Sequence, residues 1–182
     1  AEMVRRIADR VATAAKELYP DPAAEFQFQA VLIDEPQMAN AWCLPGGKMA
    51  VYTGLLPVTG DENSLAVVMG HEVAHAVASH GAERMTHGII AGFTLDAASI
   101  AVADLPATEK DALMGALGVG AQYGVMLPFS RTHESEADEL GLYMAALAGY
   151  DPRAAIGLWE RMGAQGGDRP PEWFSTHPSE GT

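Results

Sequence analysis

His71-Glu72-Val73-Ala74-His75 decides how this chain is read. An α-helix advances about 100° per residue, so residues four apart lie on one face and both imidazoles project to the same side. Two histidines at that spacing are a ready pair of zinc ligands. The carboxylate directly after the first can act as general base on an attacking water without being a ligand itself. The stretch therefore proposes a metal, a helix and a reaction together.

A catalytic zinc site needs a third protein ligand and an outer partner to orient a ligating ring. Ser130-Arg131-Thr132-His133-Glu134-Ser135-Glu136-Ala137-Asp138-Glu139-Leu140-Gly141 offers both. Glu134 and Asp138 are again four apart, and Leu140, Leu142, Met144, Ala145 and Leu147 favour a helix. Glu134 can complete the ligand set, and Asp138, one turn on, can accept the free ring N–H of a ligating histidine. His133 competes as a ligand, but Asp138 fits the Glu134 assignment better. Glu136 points about 200° away from Glu134 and reads as solvated. His80 and His87 lack paired spacing and read as structural or surface residues.

These two segments, with Pro45-Gly46-Gly47-Lys48-Met49-Ala50-Val51-Tyr52-Thr53-Gly54-Leu55-Leu56 and Ser175-Thr176-His177-Pro178-Ser179, resemble the M48 family of zinc metallopeptidases. The resemblance is strongest to its Oma1-like and bacterial envelope branch, and it runs in order from about Val31 to Ser179. It implies zinc bound by His71, His75 and Glu134, one ion per chain, with Glu72 as the catalytic base. His177, held in an extended turn by Pro178, falls in the family's H-P segment. It either donates a hydrogen bond to the oxyanion or blocks the open metal position, unless it is only a surface residue. The family's arginine a few residues after H-P has no counterpart up to Thr182, so its role is not assigned.

The fold expected is α+β: a mostly helical, zincin-like single domain over residues 1–182, with a small β-sheet beside the H-E-x-x-H helix. Of the 182 residues 48% are hydrophobic and 19% charged, enough apolar material for a core and too little charge for a disordered chain. Val4, Ile7, Val11, Ala14 and Leu18 line one face of an opening helix that Pro20 stops. Phe26, Phe28, Ala30 and Leu32 alternate with Gln27, Gln29 and Val31, which suggests a strand with one strongly buried face. Asn40–Leu44 and Lys48–Thr53 are further strands around a Pro-Gly-Gly turn. One of them should offer an edge on which an extended substrate adds, although Lys48–Thr53 also reads as an internal strand.

Asp61 or Asn63 caps the metal helix, which is expected to run to about His80 with its apolar face to the rear. Ile89–Val102 and Ala112–Phe129 form an apolar hairpin between the two halves of the site. Gly115, Gly118, Gly120 and Gly124 suit a close-packed helix pair better than a bilayer span. A lid or membrane-facing role for the hairpin stays open. Asp151 and Pro152 begin the last helix, in which Ile156, Leu158, Trp159 and Met162 are packing residues. Gly163–Pro171 reads as a flexible connection.

The net charge of −13 excludes a nucleic-acid surface and simple adsorption to anionic lipid. Cys43 is the only cysteine, so no internal disulfide forms, and it reads as a packed strand residue rather than a ligand. No signal peptide is visible at Ala1, which does not assign a cytoplasmic address. The resemblance implies a bacterial cell-envelope, periplasmic location, leaving peripheral membrane association and oligomeric state open. The function expected is a zinc-dependent endopeptidase acting on peptides and on unfolded or misassembled proteins. The competing readings are a non-catalytic, chaperone-like zinc module and a zinc hydrolase of non-protein amides.

Overall fold

The computed structural model describes residues 1–121 and 127–164, and these form two compact units. One comprises Ala1–Ser79 with the chain from Glu134 onward, and the other comprises His80–His133. The architecture is mostly helical α+β with one small mixed sheet.

In the first unit, α1 (Glu2–Leu18) buries Val4, Ile7, Val11, Ala14 and Ala15 along the stripe its periodicity predicts, while Leu18 is 38% exposed at its end. Pro20 opens a single further turn, α2 (Pro20–Ala23). The sheet has strand order β1-β3-β2, with β1 (Gln29–Ile33) parallel to β3 (Lys48–Tyr52) and β2 (Ala41–Leu44) antiparallel to it. Lys48–Tyr52 is thus the central strand, buried at Met49, Ala50 and Val51, and the outer strands are β1 and β2. The β2–β3 turn needs its glycines, since Gly46 and Gly47 hold φ near +90° and +89°. The expected first strand is corrected in two respects. Pairing begins only at Gln29, and Phe26, Phe28, Ala30 and Leu32 are half-buried against the core, Phe26 and Phe28 ahead of the strand and Ala30 and Leu32 on an outer one.

A short 3₁₀ turn (Thr53–Leu55) and α3 (Leu56–Thr59) lead into α4 (Glu62–Val77). Asp61, not Asn63, is the N-cap, its carboxylate accepting from the Ser64 N–H at 2.8 Å. Asn63 instead accepts the Asp151 N–H. Nor is only the rear of α4 apolar: α1, β2 and α8 (Ala154–Ala164) all pack against it, burying it on nearly every side. It ends at Ala78, ahead of the expected His80, where Ser79 takes φ +61°. α7 (Leu127–Leu147) ends two residues before Gly149, which takes φ +85° in the following turn. α8 begins at Ala154 rather than at Pro152, after Asp151 accepts the Arg153 N–H in the preceding turn.

The second unit contains α5 (His80–Ala101) and α6 (Ala107–Ala121), packed on each other. The close glycine packing expected there does not occur at the described positions. A β-carbon built on Gly115, Gly118 or Gly120 meets nothing within 4 Å, and Gly124 lies outside the described residues. Among the described residues no helix is long and apolar enough to cross a membrane.

Candidate metal centre

The helix period brings His71 and His75 to one side of α4 and Glu134 and Asp138 to one side of α7, and the two sides meet. The Nε2 atoms of His71 and His75 are 3.0 Å apart. Glu134 Oε2 lies 3.4 Å from His71 Nε2, and Oε1 lies 3.5 Å from His75 Nε2. Among the described residues this trio is the group whose ligand atoms all lie within 4.8 Å of one another. Ligand atoms about 2.1 Å from a tetrahedral zinc are about 3.4 Å apart. Spacing and donor chemistry, two imidazole nitrogens and one carboxylate, therefore both fit Zn²⁺.

His71 Nδ1–H donates to Asp138 Oδ1 at 2.8 Å, a contact that leaves the Nε2 lone pair facing the cluster. Burial opposes protonation of His71. Hydrogen bonds to Asp138 and Glu134, with the charges of Glu72 and Asp138, outweigh it and raise the pKa from 6.5 to about 9. A metal at Nε2 thus competes with a proton held by the same carboxylates. Glu72 is itself buried next to His71, and its charge reaches across to β2. There burial, reinforced by Glu72, pushes the Cys43 thiol up to about 12, which keeps it a neutral packed group.

The other candidates go elsewhere. His133 is buried, but its Nε2 pairs with Glu83 Oε2 at 3.0 Å and its ring stacks on His80 with centroids 4.1 Å apart. Parallel stacked rings cannot aim their lone pairs at one ion, so this second histidine pair is a packing element. Glu136 is exposed, and among the described residues His87 joins no ligand cluster. His177 and the Gly163–Pro171 connection beyond Ala164 lie outside the described residues.

Peptidase family M48 matches residues 1–182. The chain belongs to this family. Among curated relatives it is 42% identical over 153 residues to mitochondrial metalloendopeptidase OMA1 of Arabidopsis thaliana, covering 84% of this chain and 29% of that protein. It is 39% identical over 160 residues to the OMA1 of Schizosaccharomyces pombe, covering 86% and 44%. To the beta-barrel assembly-enhancing protease of Yersinia pestis it is 29% identical over 163 residues, covering 83% and 32%. The chain therefore spans less than half the length of these relatives.

Sequence reasoning missed two features of this M48 site. Arg161 of α8 reaches across to donate to the Val58 and Thr59 carbonyls and to Ser64 Oγ, tying the start of α4 to α8. Gly70 and Gly141 bring the backbones of α4 and α7 together beside His71. The signal for the second was present in the sequence as glycine inside two strong helices, one of them next to a ligand.

Proposed function

We propose that this chain is the catalytic domain of a zinc-dependent endopeptidase, with His71, His75 and Glu134 holding the ion and Glu72 serving as general base. The observation that carries the reading is the 3.0–3.5 Å triangle of two Nε2 atoms and one carboxylate. Bound zinc supplies Lewis acidity that polarises a peptide carbonyl and acidifies a water. Glu72 takes the proton of the attacking water and passes it to the leaving amine. Asp138 holds His71 in the tautomer that presents Nε2.

The sheet supports this reading of the substrate class. β2 is an outer strand that packs on α4, and Cys43 within it feels the charge of Glu72. An extended peptide added to the edge of Ala41–Leu44 that pairs with no strand among the described residues would present its backbone near the base with little demand on its side chains. Peptides and unfolded or misassembled proteins have such backbone free; folded proteins do not. The likeness to a protease named for β-barrel assembly supports a bacterial envelope location, while the OMA1 relatives carry a mitochondrial name. Met85, Phe93 and Ile100 of α5, 65%, 72% and 75% exposed, support peripheral membrane association. His177 is proposed as an oxyanion donor or metal blocker, and His177→Ala would lower or raise the rate accordingly.

Metal analysis paired with casein cleavage tests the core of the proposal. Glu72→Gln should retain one zinc per chain and lose about 10²- to 10⁴-fold in cleavage rate. Equal cleavage by parent and variant rejects the mechanism, and zinc bound with no cleavage by either supports a non-catalytic module.

A further inference from the structure

Glycine is among the poorest helix formers, yet one stands in the interior of each helix that carries the metal cluster. Gly70 directly precedes His71, and Gly141 lies one turn beyond Asp138 on the side that faces α4. A β-carbon on Gly70 would stand 2.6 Å from the Gly141 carbonyl oxygen. One on Gly141 would stand 2.6 Å from His71 N, 2.8 Å from His71 Cα and 2.9 Å from Gly70 C. Every one of these neighbours is backbone, so no side chain can swing aside. Ordinary contact begins at 3.4 Å, and the helices would have to part by several tenths of an ångström to admit a single methyl.

The other described α-helical glycines do not share this setting. Around Gly88, Gly92, Gly115 and Gly118 a β-carbon would meet open space. The bare crossing is found where the ligands need it. His71 N lies at the contact itself, while Asp138 and Glu134 lie one and two turns back along α7, 2.8 Å and 3.4 Å from the His71 ring. Zinc–ligand distances tolerate about ±0.2 Å. A displacement large enough to accommodate a methyl exceeds that range.

We propose that Gly70 and Gly141 are positioning residues: their backbone-to-backbone crossing sets the distance of Glu134 and Asp138 from His71, and so the affinity and geometry of the metal site. The proposal rests on reading His71, His75 and Glu134 as the zinc ligands. A structural alternative, in which the glycines only permit helices to pack, predicts lost stability with an unchanged metal site.

Gly70→Ala and Gly141→Ala are compared with Gly54→Ala, whose β-carbon would meet the Pro36 and Met38 carbonyl oxygens at 2.6 and 2.5 Å, a backbone clash of matching severity in the 3₁₀ turn before α3. For each, zinc affinity is measured by chelator competition, coordination by the visible spectrum of the Co²⁺-loaded protein, and stability by the unfolding midpoint of the metal-free protein. Gly54→Ala should lower the midpoint while holding zinc within about threefold of the parent and leaving the cobalt bands in place. Gly70→Ala and Gly141→Ala should weaken zinc at least about 10-fold and shift the bands, the scale seen when groups orienting a ligand are lost. If they do not fold, Ala145→Val replaces them. It enlarges a fully buried position one turn beyond Gly141 on the same face, and it must weaken zinc more than Gly54→Ala does. Parent-like affinity and spectrum in the folded variants overturn the proposal alone. A parent chain that takes up no stoichiometric zinc overturns the metal reading beneath it.

Discussion

Asp138 works through His71. Its carboxylate receives the Nδ1–H and leaves Nε2 directed at the cluster, so Asp138→Asn keeps an acceptor but removes the charge behind the ring. Zinc affinity should fall about 10- to 100-fold, read by competition with a chelator of known strength. The same residue governs the pH response of the metal-free chain. His71 has a folded pKa of about 9 against 6.5 for the ordinary group, so its protonation stabilises the fold. That contribution is complete below about pH 6.5 and is lost as pH rises through 9. Melting points of chelator-treated protein should decline across this window, and the decline should flatten in Asp138→Asn; a parent chain with a level profile would contradict the assignment. Spacing alone put His71 with His75 and Glu134 with Asp138 on single helix faces, because four residues is a property of the helix. It could not show that Gly70 faces Gly141, since which sides of two helices touch is decided by the packing of both.

At the scale of elements, α4 is held where its surroundings place it. Beyond its polar first turn its sequence is apolar except for His71, Glu72 and His75, so periodicity predicted one buried face where α1, β2 and α8 cover nearly all of it. The same limit applies to the sheet. Lys48–Thr53 was legible as a strand after its Pro-Gly-Gly turn, but central or outer position depends on partners that a single strand does not encode. Two residues secure the start of α4, and they should rank differently. Asp61→Ala removes one cap bond and should cost about 1 kcal/mol. Arg161→Ala abandons the Val58 and Thr59 carbonyls and Ser64 Oγ together and should cost about 2–3 kcal/mol. Urea unfolding of the two variants checks the order, and a smaller loss for Arg161→Ala would show that water replaces its bonds without penalty.

For the molecule as a whole, the proposed ligands His71 and His75 are separated in the chain from Glu134 by the entire His80–His133 unit. No local interaction within α4 or α7 holds their ligand faces together, so an ion shared between them stabilises the fold by the free energy with which it prefers the folded state. At free zinc about 1,000-fold above the dissociation constant that amounts to about 4 kcal/mol. A domain of this length gains about 2–4 °C per kcal/mol, so zinc should raise the melting point by about 8–16 °C, and a chelator should return it. Glu134→Gln, which removes the ligand on α7, should lose most of that increment. Glu72→Gln should keep it, because the base neighbours the ligands without joining them. Scanning calorimetry of the three proteins with and without zinc separates these roles independently of any peptidase assay. An increment that survived Glu134→Gln but vanished in Glu72→Gln would mean the carboxylates had been assigned the wrong way round.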